Sequence, residues 1–175
     1  MLPIDASSGG DDILNLTFRD VHFKAEVMFL KAMGCGPDVK PKAMLNLGLV
    51  YQTRGNALAS EGDLAGAKKA ALDSAKYLDS AKPLLKQLQM DGSAESDAYM
   101  SRYGPLRLQS HRLMGQIHAG LGDYESCEKE FRAATEAFPN EPGSWQMLGR
   151  ILEIQGKKEE AQTVIAKLNA IVNGM

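Results

Sequence analysis

The chain has 175 residues, enough for one domain or a short repeat array and too few for two ordinary domains. Hydrophobic residues make up 44% and aromatics only 6%, a mix that favours helices packed through small residues over a β-sandwich. A formal net charge of −2 with scattered Lys and Arg excludes the electrostatic footprint of a nucleic-acid binder or a polybasic membrane anchor, and no apolar run approaches the roughly 18 residues of a membrane span.

In chain order, residues 1–12 are polar, contain Gly and Ser, and end acidic. They lack the basic start and apolar middle of a signal peptide and read as a disordered leader. A single domain is expected from 13 to 175. Ala25, Phe29, Ala32 and Pro37, spaced 4-3-5, mark a helix closing a first unit of about residues 13–40. Met44, Leu47-Gly48 and Tyr51 open a second unit, 41–90, with Gly62-Asp63 as its turn. Helices near 42–60 and 63–82 therefore pair, the second carrying Leu64, Ala67, Ala71, Ala75 and Leu78 on one stripe. Pro83 is expected to kink or end that helix, with a short helix on to Leu88. Residues 91–97 read as a loop and Tyr99 to Tyr103 as a helical turn, before Gly104-Pro105 restarts a regular array; the insertion runs to 107.

Residues 108–141 and 142–175 are two copies of one unit, related by a shift of 34. Met114-Gly115 falls on Leu148-Gly149, Gly122 on Gly156, Cys127 on Ala161 and Phe131 on Ile165. Cys127, Phe131, Ala134 and Pro139 repeat the 4-3-5 spacing met at Ala25. The pattern resembles the tetratricopeptide repeat: Trp, two residues, Leu-Gly, two residues, Tyr, then Ala, three residues, Phe, then Pro. Trp145, Leu148-Gly149, Leu152 and Ala161 fill these places in the last copy, and His111, Met114-Gly115, His118, Cys127, Phe131 and Pro139 in the one before. The first unit is then a degenerate repeat. The second is an elongated one, because Gly48 to Gly62 spans fourteen residues where Gly115 to Gly122 spans seven, adding two turns or about 10 Å. The resemblance implies an all-α solenoid, an α-α superhelix of helical hairpins with one hairpin elongated. Gly115 and Gly149 are expected to admit the second helix closely, and Asp123 to cap one.

No catalytic constellation emerges. His111 and His118 share a helix face but occupy the bulky places of the repeat, so packing outweighs ligation. Glu125, Glu128 and Glu130 lie with Lys129 and Arg132 on an ordinary charged face, and no phosphate-cradling loop is present. Cys35 and Cys127 lack ligand spacing and fit a reducing cytoplasm better than a disulfide. The chain is expected to be no enzyme and to need no metal or cofactor.

Tetratricopeptide arrays line a concave face with the first helix of each hairpin. Setting the packing places aside leaves Leu45, Leu49 and Gln52 in the second repeat, Arg112, Gln116 and Ala119 in the third, and Gln146, Arg150 and Glu153 in the fourth. These form the candidate groove for a partner peptide or helix, apolar at one end and with polar donors at the other. Leu45 and Leu49 stand where a chaperone clamp needs Lys and Asn, which argues against that clamp. The expected function is a cytoplasmic scaffold or adaptor that binds another protein. The alternatives are a dedicated chaperone for one client or an accessory domain of a larger enzyme or transport assembly. Ile165, Leu168, Ile171 and Val172 leave an apolar C-terminal edge, for which self-association or a further downstream segment is expected.

Overall fold

The computed structural model describes residues 18–93 and 95–174, so the expected leader lies outside the described residues. Those residues form seven helices and no strand: α1 (Phe18–Ala32), α2 (Val39–Ser60), α3 (Leu64–Met90), α4 (Ser96–Gly120), α5 (Tyr124–Ala137), α6 (Pro142–Ile154) and α7 (Lys158–Val172). Each helix packs on the next in the chain, and α2 also lies against α4. This is the all-α repeat architecture that the sequence pattern implies.

The hairpins close through one recurring turn. At Gly62, Gly92, Gly122 and Gly156 φ is 74–84°, a left-handed conformation that costs Gly little and other residues more. The amides of Asp63, Ser93, Asp123 and Lys157 reach back to the carbonyls of Leu58, Leu88, His118 and Leu152 at 2.9–3.0 Å, closing a Schellman motif each time. Asp63 and Asp123 then cap the next helix, accepting from the amides of Gly66 (2.8 Å) and Ser126 (3.1 Å).

Close approach within the hairpins follows the glycines unevenly. A Cβ on Gly48 would stand 2.6 Å from the Leu78 side chain, and one on Gly115 would stand 2.6 Å from the Phe131 ring. At Gly149 the nearest atoms, on Val164 and Ile165, are 3.6 Å away, so the expected steric demand there is absent. At this position the last hairpin has room for a methyl group.

The elongated hairpin is present, with α2 and α3 at 22 and 27 residues against 13–15 for α5 to α7. The expectation for 83–107 needs correction. α3 runs through Pro83 to Met90, Gly92 makes a tight turn where a loop is expected, and α4 is one helix of 25 residues passing through Gly104 and Pro105. Proline in a helix interior removes one backbone hydrogen bond and costs about 3 kcal/mol. Burial offsets it: Leu45, Leu78, Ala81, Leu85, Tyr103 and Leu106 form one apolar cluster drawn from all three long helices. Pro83 and Pro105 both sit on exposed faces, clear of that cluster.

Candidate functional site

The first helices of the hairpins are α2, α4 and α6. α2 and α4 lie side by side in the same direction, tied by Gln52 Nε2 donating to the Leu106 carbonyl (3.1 Å) and by Arg102 donating to Asn46 Oδ1 (3.3 Å). α6 joins through α5 and through the contact of Ala119 with the cluster holding Leu148, Ile151 and Leu152. Along α4 the exposed residues Arg102, Gln109, Arg112 and Gln116 follow at spacings of seven, three and four, a single helical face. Gln146, Arg150 and Glu153 do the same on α6.

Of the eight expected partner-binding residues, six are exposed: Leu49, Arg112, Gln116, Gln146, Arg150 and Glu153. Leu45 and Gln52 are not. Leu45 has no exposed surface, and Gln52 is 2% exposed. Tyr103 and Leu106, in the part of α4 that precedes the regular repeat, cover Leu45, while the Gln52 amide bonds to the backbone there. Neither touches solvent, so neither lines a surface. Leu49, 38% exposed, is the apolar residue left on that part of the face.

The arginines divide by face. Arg54 pairs with Glu26 (3.6 Å), Arg107 with Asp79 (2.9 Å) and Arg132 with Glu128 and Glu160 (2.8 and 2.5 Å). Arg102, Arg112 and Arg150 have no carboxylate within salt-bridge reach among the described residues; the first two share an exposed face of α4 and the third is exposed on α6. Glu141, at the start of α6, is an acid whose titration Arg112 affects. Burial would raise its carboxyl, but hydrogen bonds from Ser144 and Gly143, helped by Arg112, hold it below the ordinary glutamate value. That carboxylate is already spent on the Gly143 and Ser144 amides at 2.9 and 2.7 Å.

Arg102 is absent from the sequence-derived set, as are its neighbours Lys42, Asn46 and Tyr99. The signal was available, since the 102-109-112-116 spacing continues the stripe of Arg112. It is hidden by reading Gly104-Pro105 as a break.

The two buried histidines have structural partners. His111 Nδ1 lies 2.8 Å from Glu130 and His118 Nδ1 lies 3.1 Å from Asp123, both imidazoles being buried between α4 and α5. Burial pushes the Cys127 thiol up to about 11, far from thiolate reactivity, and Cys35 is exposed; both cysteines are free. Among the described residues no group of three His, Cys, Asp or Glu could hold a metal ion, and no helix is long and apolar enough to cross a membrane.

A search of curated proteins gives no match to the chain. Two models of the tetratricopeptide repeat match it, over residues 108–151 and 142–171. These are the two units whose glycines, turns and inter-helix contacts are set out above, and residues 108–171 carry tetratricopeptide repeats.

Proposed function

We propose that the protein is a non-catalytic interaction module that holds an acidic segment of another protein against the face of α2, α4 and α6. Repeats of this family generally mediate protein–protein interaction. The observation that carries the reading is the division of the arginines. Among the described residues three guanidinium groups stay without a carboxylate partner, and all three lie on exposed faces of first helices, two on α4 and one on α6. A guanidinium with open donors is the natural partner of a carboxylate, and complementary charge gives such a face both selectivity and a faster encounter. Gln116 and Gln146 add donors for a partner backbone, and Leu49 adds an apolar contact.

The test is to replace Arg112 and Arg150 together by Gln. Gln is preferred to Glu because a new acid beside Glu141 would disturb the start of α6. A partner captured by the wild-type protein is identified, and its acidic segments are titrated as peptides by calorimetry. The double variant should bind about 30-fold more weakly, roughly 2 kcal/mol, with an unchanged helical spectrum. Equal affinity in the two proteins refutes the assignment of this face.

A further inference from the structure

The part of the face outside the matched repeats carries a cluster of its own. Lys42 Nζ and the Arg102 guanidinium carbon lie 5.2 and 5.8 Å from the centroid of the same ring, that of Tyr99. The ring's negative faces attract both cations, which draws two like charges into one place. Among the described residues one carboxylate pairs with them directly, Glu95, 2.5 Å from Lys42 and with a side chain 69% exposed, while Asp38 acts on Lys42 only through its charge. Arg102 pairs with no acid among the described residues, and its hydrogen bond goes to the neutral Asn46 amide at 3.3 Å, near the long limit. Arg107 on the same helix shows the contrast. It faces α3 and holds Asp79 through two bonds of 2.9 and 3.2 Å. The Arg102 guanidinium therefore keeps its charge without a paired carboxylate and most of its five N–H donors for something else.

Its position gives that something a shape. One turn beyond the Asn46–Arg102 bond, α2 presents Leu49 and α4 presents Pro105, both exposed. Arg112 follows on the same face of α4, ten residues after Arg102, or about 15 Å along the helix axis. The order along the wall is thus cation, apolar step, cation. An extended chain rises about 3.3 Å per residue and turns alternate side chains to one side, so its residues i and i+4 stand about 13 Å apart with i+2 between them.

The geometry points to a second anchoring subsite, formed by Lys42, Tyr99 and Arg102, that takes the first acid of an extended segment of pattern acid–x–apolar–x–acid, whose second acid meets Arg112. This rests on the reading of the face given above and adds the partner's spacing. It also gives Glu95 a role. Its carboxylate sits on Lys42 where a partner's acid would compete for the same ammonium, so it weakens binding.

A fluorescein-labelled peptide containing Glu-Ser-Leu-Ser-Glu between Gly-Ser flanks tests this by anisotropy at low salt, against a control with both Glu replaced by Gln and another with the two Glu only two residues apart. The first peptide should bind about tenfold more tightly than either control. Arg102→Gln should erase the advantage over the closely spaced control, and Glu95→Gln should tighten binding about threefold, because it frees Lys42. If Arg102→Gln and Glu95→Gln leave the affinities unchanged while the Arg112 and Arg150 double variant abolishes binding, the second subsite is refuted and the face assignment survives. If no variant alters the affinity, both are wrong. Circular dichroism of each variant confirms that the comparison is made between folded proteins.

Discussion

The long helices α2 to α4 and the short helices α5 to α7 are built by the same rules and expose different things. Both regions close through the same glycine turn, and in both a second-helix side chain presses on a first-helix glycine, Leu78 on Gly48 and Phe131 on Gly115. Yet Leu45, Arg112 and Gln146 hold equivalent places on their first helices, and the first is buried while the other two face solvent. Gln52 and Glu153 differ in the same way. The cause is length. α4 begins at Ser96, so its first half lies across α2, whereas α6 begins at Pro142 and has no such extension to lay across α4. A repeat position stays exposed only if the next first helix is too short to cover it.

The largest effect expected from this comparison separates Leu45 from Leu49. Leu45→Ala should cost about 3 kcal/mol, as truncation of a fully buried leucine does, and Leu49→Ala about 0.5 kcal/mol or less. Urea titrations of the two variants measure both values. Similar midpoints would mean that α4 does not cover α2.

A smaller difference should part the glycines. Gly115→Ala forces a methyl into the Phe131 ring and should destabilise by about 2 kcal/mol. Gly149→Ala has room, and gains up to about 1 kcal/mol from the helix propensity of alanine. Thermal unfolding reads the two signs, and a loss at Gly149 as large as that at Gly115 would show the last hairpin to be as tight as the others.

The smallest effect concerns acid. Burial works against ionisation of Glu128, but hydrogen bonds from Lys157 (2.7 Å) and Arg132 (2.8 Å) outweigh it and hold its carboxyl below the ordinary value. Glu141 and Asp123 are lowered too, Asp123 chiefly by hydrogen bonds from Ser126. A carboxyl whose folded pKa lies below its unfolded one adds stability above the unfolded value, about 4.3 for Glu and 3.9 for Asp, and loses it as pH falls through the folded value. All three groups belong to α5, α6 and their caps. Lowering the pH from 7 to about 3.5 should therefore loosen α5 to α7 before α2 to α4, seen by hydrogen exchange resolved by segment. Glu128→Gln should flatten part of this dependence. Earlier loss of protection in α3 would reverse the expected order.

How much was legible follows the range of the interactions. The turns at Gly62, Gly122 and Gly156 and the cap at Asp123 were readable because each is settled within a few residues by φ and by a side chain reaching its own backbone. The two regular repeats were readable because a period of 34 stands out in the chain itself. A helix end at Pro83 and a fresh start at Gly104-Pro105 failed for the opposite reason. Local propensity argues for a stop there, and only the apolar cluster joining Leu45, Leu85 and Tyr103 from three helices outweighs it.

The sequence by itself determined that the chain is a helical repeat, where its hairpins turn, and that Arg112, Gln116, Gln146, Arg150 and Glu153 stay outside the packing places. These are matters of period, backbone conformation and side-chain volume, which neighbouring residues decide. Tertiary structure alone decided that Leu45 and Gln52 are core, that Lys42 and Arg102 meet over Tyr99, and that three arginines remain without an acid among the described residues. Those outcomes depend on which helix lies beside which and at what level, and that is set when Tyr103 and Leu106 bury against a leucine some sixty residues earlier in the chain.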